Sequence, residues 1–200
     1  MIPANWFVGL VVPPEGWFDE LSPVPRGTRY FHRDDLHINL SFLGAVDEEA
    51  AMRAWRLSKQ LSGGPFEFPL GNVDPVGPSR QPSAWAVMPA KPLETLNAFL
   101  ASYRNDIAHV ARARADMLPP RPYITIARPK RYASVSERTQ LAQWAEMSEL
   151  PELTLRIREV ALYTWSDEDD DRLFRIVDRF ELPPHDASLW PARNTLRHFK

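Results

Sequence analysis

Cysteine is absent from the 200 residues. That excludes disulfides, thiolate metal ligands and a cysteine nucleophile, and it fits a reducing compartment. Glycine is scarce at 8 residues, below the usual share of roughly 7%, and no Gly/Ser linker, low-complexity tract or internal repeat divides the chain. Long hydrophobic runs are missing too. The N-terminal stretch Trp6 to Val12 is closed by Pro13-Pro14 and has no basic residue before it, so it is too short for a membrane span and lacks the charged start of a secretory signal. A soluble, cytoplasmic protein with no membrane partner is expected. Neither charge sign dominates: 24 basic against 26 acidic residues give −2. Contact with a polyanion must therefore be made in a local cleft and not through a global field.

Proline is abundant, at 20 residues, about twice the usual share, which implies stiff loops. A chain of this length buries roughly 70% of its unfolded surface and needs no covalent staple.

Periodicity supplies the elements. Trp6 to Val12 reads as a buried strand followed by a short helical turn, and Arg29 to Phe31 as a short strand. Leu36 to Phe42 alternates like a half-buried strand. Asp47 is placed as the N-cap of a helix that Gly63-Gly64 would end. Phe66 to Val73 and Ala84 to Met88 read as strands around an irregular Pro-rich loop. Leu93 to Val110 repeats at three and four, a helix to be stopped by Pro119-Pro120. Tyr123 to Ile126 alternates again, Ser134 and Glu137 have capping-box spacing, and two strands, Leu153 to Thr164 and Leu173 to Leu182, close the chain around an acidic turn. The mixed order predicts an α+β class.

Two tetrads share one design: His37-Ile38-Asn39-Leu40 and Tyr123-Ile124-Thr125-Ile126. On a strand, alternate side chains share a face about 6.6 Å apart, so His37 would point with Asn39 and Tyr123 with Thr125, over buried aliphatic residues. Facing each other across a groove, these four groups would suit a phosphate, with hydroxyl and amide groups on its oxygens and a ring nitrogen moving a proton.

Read with their flanks, Leu36 to Gly44 and Pro122 to Arg128, the tetrads resemble those of the LigT-type two-histidine phosphoesterases, the RNA 2',3'-cyclic phosphodiesterases and 2'-5' RNA ligases. The family writes His-x-Thr/Ser-x twice. The resemblance runs from Trp6 to Leu182 and implies two pseudo-symmetric βα lobes flanking a central cleft, one domain over 1–182 with a C-terminal extension over 183–200. It further implies hydrolysis of 2',3'-cyclic phosphate RNA ends or related 2'-5' linked nucleotides without a metal or other cofactor, on an RNA end or small nucleotide, with no obligatory protein partner.

Two signature positions depart. Asn39 replaces Thr and keeps a hydrogen-bonding group, whereas Tyr123 replaces the second His. A phenol of pKa about 10 is about a thousandth ionised at pH 7, which makes it a poor base but an available proton donor. The roles expected are His37 and Tyr123 as the catalytic pair, Asn39, Thr125 and Arg128 as phosphate ligands, and Tyr30 as a base-stacking ring. The alternative is a descendant that binds a nucleotide or RNA end without turnover, and a scaffold with an idle cleft is the third reading. Trp85 and Phe42 are assigned to the core and His32 to a surface loop. His109, His185 and His198 lack metal-ligand spacing. Asp167 to Asp171 reads as a solvated hairpin tip, and the tail from Pro183 to Lys200 as mildly basic.

Overall fold

The alternating stretches assemble into two antiparallel sheets. A computed structural model describes residues 5–166 and 172–184. In chain order the elements are β1 (Trp6–Val11), β2 (Thr28–Tyr30), β3 (His37–Gly44), α1 (Glu48–Ser58), β4 (Phe66–Val76), β5 (Ala84–Pro89), α2 (Glu94–Val110), β6 (Ile124–Pro129), α3 (Val135–Met147), β7 (Thr154–Ile157), β8 (Glu159–Trp165) and β9 (Phe174–Glu181). One sheet has the order β3-β1-β8-β9 and the other β2-β6-β5-β4-β7. The α+β class read from the sequence is the one observed. The acidic tip 167–171 and the tail from 185 lie outside the described residues. None of the helices among those residues is long and apolar enough to cross a membrane.

Helices α1 and α2 pack on the first sheet and α3 on the second, and β3 approaches β6 where the sheets meet. The buried faces form one continuous core in which Leu10, Ile38, Trp55, Leu100, Ile107 and Ile124 are fully enclosed. Each such side chain contributes roughly 1.5–3 kcal/mol of burial. Asp47 Oδ1 accepts from the Ala50 amide at 2.7 Å, capping α1 as its sequence implies. The Ser134–Glu137 capping box is formed reciprocally, with the Ser134 amide donating to Glu137 Oε2 at 2.7 Å and the Glu137 amide to Ser134 Oγ at 3.2 Å.

Several boundaries differ from expectation. Helix α1 stops at Ser58, short of Gly63-Gly64. A Cβ on Gly64 would come within 2.9 Å of the Leu182 side chain, so this glycine serves a close chain approach. Strand β4 continues through Pro75 to Val76, because β7 pairs only with Phe66 to Pro69 and leaves the far side of Pro75 open, an edge position that tolerates a missing N–H. The stretch Leu153 to Thr164 is two strands, β7 and β8, which join different sheets.

Helix α2 ends at Val110, well before Pro119-Pro120. Its stop is a left-handed residue, Arg112 at φ 57°, with the Arg112 amide donating to His109 O at 2.9 Å and the Ala113 amide to Ala108 O at 2.8 Å. This is a Schellman closure with arginine where glycine is usual. The freed segment 112–123 becomes a loop. Because a Cβ disfavours this conformation, Arg112→Gly is expected to raise the unfolding free energy by roughly 0.5–1 kcal/mol. Urea denaturation of the two proteins measures this, and a destabilised variant would contradict the strain assigned to the cap.

Candidate functional site: a cleft between the two sheets

The first tetrad opens β3 and the second runs from Tyr123, just before β6, into that strand; in each the fourth residue is an extra one. Val8 is opposite Ser41 and Gly9 opposite Asn39, so Leu40 has no partner in β1. Trp85 is opposite Ala127 and Ala86 opposite Thr125, so Ile126 has none in β5. A bulge of one residue shifts the following side chains to the other face. Strict alternation would bury Phe42 with Ile38 and Leu40. After the bulge Phe42 is 56% exposed and lines the cleft together with Asn39 and Tyr123. The same shift on β6 places Arg128 toward Tyr123, close enough for the two to interact electrostatically.

The cleft has a volume of about 610 Å³. Its walls come from β3, from the ends of β4 and β5 at Val76, Gly77 and Met88, from α2, and from the loop 114–123. Ser41 Oγ, buried, donates to Arg104 O at 2.8 Å, tying β3 to α2. Arg104 in turn holds the loop: its guanidinium donates to Asp116 O at 3.0 Å, to the Asp116 carboxylate at 3.5 Å, and to Leu118 O. Arg114 and Arg121 also line the cleft and have no carboxylate partner among the described residues. The cleft is therefore electropositive, a sign suited to phosphate.

His37 begins β3 beside this cleft. Its Nδ1 lies 2.7 Å from Asp35 O. A carbonyl only accepts, so Nδ1 carries the proton and Nε2 keeps its lone pair. The ring is packed among Phe7, Tyr163 and Phe174, with centroids at 4.6, 5.3 and 5.5 Å. Desolvation by this cage lowers the pKa to about 4. The bond to Asp35 opposes the shift and the charge of Arg128 adds to it. The cage is pinned by Asp35, itself fully buried, whose carboxylate accepts from the amides of Leu173 at 2.8 Å and Phe174 at 3.2 Å. Burial pushes the Asp35 carboxyl upward against those two bonds.

Thr125 is 7% exposed, and its hydroxyl has no partner among the described residues. Arg128 lies with its guanidinium carbon 5.6 Å from the Phe31 ring centroid, where desolvation lowers its pKa while Tyr123 raises it and Arg29 lowers it. Asn39 and Tyr123 thus share one cleft, and the charge of Arg128 reaches His37. Tyr30 is placed elsewhere: it stacks on Phe18 at 4.9 Å, meets Trp144 edge-on at 6.4 Å, and its hydroxyl reaches Phe18 O at 3.4 Å. The most exposed aromatic ring in the cleft is Phe42, expected from the sequence to lie in the core. Arg104, Arg114 and Asp35 carried no motif signal. Arg121, two residues before Tyr123, had the spacing of a shared strand face.

A histidine whose folded pKa lies below its unfolded value stabilises the fold above the unfolded pKa of 6.5, and the contribution is lost as pH falls toward about 4. Relative to His37→Gln, the wild type is expected to lose roughly 2–3 kcal/mol of stability between pH 7 and pH 4. Urea denaturation across that range reads the difference, and parallel pH curves for the two proteins would refute the caged, neutral imidazole.

The 2'-5' RNA ligase superfamily model matches residues 12–169. No curated protein matches the chain at a significant level. Among solved structures, E. coli LigT complexed with 3'-AMP superposes with a TM-score of 0.64 at 20% identity, over 90% of this chain and 98% of that one. E. coli LigT complexed with ATP gives 0.62 at 20% identity over 90% and 99%. The Thermus thermophilus protein TT0787 gives 0.61 at 20% identity over 91% and 100%. These likenesses establish a shared fold, and the family match spans most of the chain, both tetrads included: the chain belongs to the 2'-5' RNA ligase superfamily.

Proposed function

We propose that this member of the superfamily is a slow phosphodiesterase that opens 2',3'-cyclic phosphate RNA ends, or cleaves related 2'-5' linkages, without a metal cofactor. The observation that carries the reading is the His37 imidazole fixed by Asp35 O with Nε2 left basic. Nucleotide binding by the fold is supported by E. coli LigT, which was crystallised with 3'-AMP, ATP and NADP+.

In this reading the phosphate lies between Asn39, Thr125 and Arg128, with the base against Phe42. His37 Nε2 takes a proton from water as the water oxygen attacks phosphorus. The bond from phosphorus to the leaving ribose oxygen breaks, and that oxygen takes the Tyr123 proton. The phenolate left behind is stabilised by Arg128, and solvent returns the proton from His37 to it. An imidazole of pKa about 4 is a weak base, so turnover is slow, but it remains ready for use at every pH above about 5.

The expected result is metal-free hydrolysis of a nucleoside 2',3'-cyclic phosphate in EDTA that falls by roughly 10²-fold or more in His37→Ala, with an acid limb near pH 4 and none near 6.5. Activity unaffected by His37→Ala would defeat the assignment. A second reading, binding without turnover, is favoured by Tyr123, which replaces the second imidazole. The two separate on rate. If only the missing histidine limits chemistry, Tyr123→His raises hydrolysis by roughly 10-fold or more, and nucleotide binding with no hydrolysis by either protein would establish the binder.

A further inference from the structure

A second concavity, about 1270 Å³ in volume, lies against the second sheet between α3 and the hairpin that joins β4 to β5. Its walls carry Arg80 from the hairpin, Arg131 from the loop before α3, and Arg138 from α3. None of the three has a carboxylate within salt-bridge distance among the described residues. Asp74 and Glu146 line the groove as well, so it offers both cations and hydrogen-bond acceptors. At its floor is Trp85, 3% exposed. The Trp85 indole N–H donates to no acceptor among the described residues, yet it is not sealed from solvent. This N–H at the base of a cationic groove is therefore within reach of a ligand acceptor.

The groove and the cleft are two sides of one wall. Val76 and Gly77 line the cleft, and Ser79 to Pro82 line the groove. Gly77 and Ser79 are two peptide units apart, at most about 7.6 Å between Cα atoms, which is within the reach of a single nucleotide. Pro75, Pro78 and Pro82 stiffen the wall, so its crest is a fixed edge over which a chain can pass.

We propose that the groove is a second binding site for single-stranded RNA. A strand whose phosphate end occupies the cleft crosses the hairpin and lays its next phosphates on Arg80, Arg131 and Arg138. The mixed lining selects for this ligand. Arginines hold phosphates, while Asp74 and Glu146 accept from ribose hydroxyls or base amino groups, which a bare polyanion lacks. The inference rests on the preceding reading only for the end that enters the cleft.

The test uses the full chain and fluorescein-labelled oligouridylates of two and twelve nucleotides ending in a 3'-phosphate, followed by anisotropy at several salt concentrations. The longer probe is expected to bind roughly 10-fold tighter than the dinucleotide, or more. In Arg80→Ala/Arg131→Ala/Arg138→Ala its affinity should drop to the dinucleotide level, with the slope of log K against log salt reduced by roughly 2. Gln81→Glu, which removes no arginine, should weaken the long probe alone. Equal affinity for the two probes, or an unchanged salt slope in the triple variant, would overturn the proposal, as would competition by inorganic polyphosphate as strong as that of unlabelled RNA. Length- and arginine-dependent binding in a protein that hydrolyses no cyclic phosphate would uphold the groove and defeat the hydrolytic reading. Hydrolysis without length dependence would do the reverse.

Discussion

The arrangement of the cleft depends on two unpaired residues, Leu40 and Ile126, one in the fourth position of each tetrad. Each remains buried, so the core holds the bulge in place, and the face change it imposes is not free to relax. Upstream of the bulge each tetrad contributes one polar residue to the cleft, Asn39 and Tyr123. Downstream the bulge turns outward a residue that alternation would have hidden, Phe42 into the cleft on one lobe and Arg128 on the other. The two lobes therefore use one backbone device to deliver unlike chemistry, a flat apolar ring from one side and a guanidinium from the other. A pseudo-symmetric scaffold acquires an asymmetric site by this means.

A second constraint sets the electrostatics. The aromatic cage around His37 is built from β1, β8 and β9, and Asp35 locks the β9 end of it through the Leu173 and Phe174 amides. Desolvation and Arg128 act in the same direction on the imidazole. The ring cage, with one fixed cation beside it, thus keeps the imidazole unprotonated at neutral pH.

Much of the architecture was legible because its signals are local. The strand carrying His37 and Asn39, the Asp47 cap and the Ser134–Glu137 box each declare themselves within a few residues. What was hidden depends on distant partners. Phe42 looked like core because alternation is a property of one strand, whereas a bulge is a property of a pair. Tyr30 looked available for stacking, but Phe18 and Trp144 fill its surroundings. The periodicity of α2 ends at Val110 as the helix does, but its stop is Arg112, in a conformation usual for glycine, and not Pro119-Pro120. The arginines of the loop that follows, Arg114 and Arg121, form a wall of the cleft.

The strand order of the first sheet has a consequence for biosynthesis. Its central strands are β1 and β8, drawn from opposite ends of the chain, whereas the second sheet takes β4, β5, β6 and β7 from one continuous stretch. During synthesis the second sheet has most of its partners early, while β1 and β3 wait for the last strands to emerge. Until then His37 lacks two of the three rings that desolvate it. The nascent chain thus carries an ordinary, exposed histidine, and the tuned imidazole comes into being only when β8 and β9 dock.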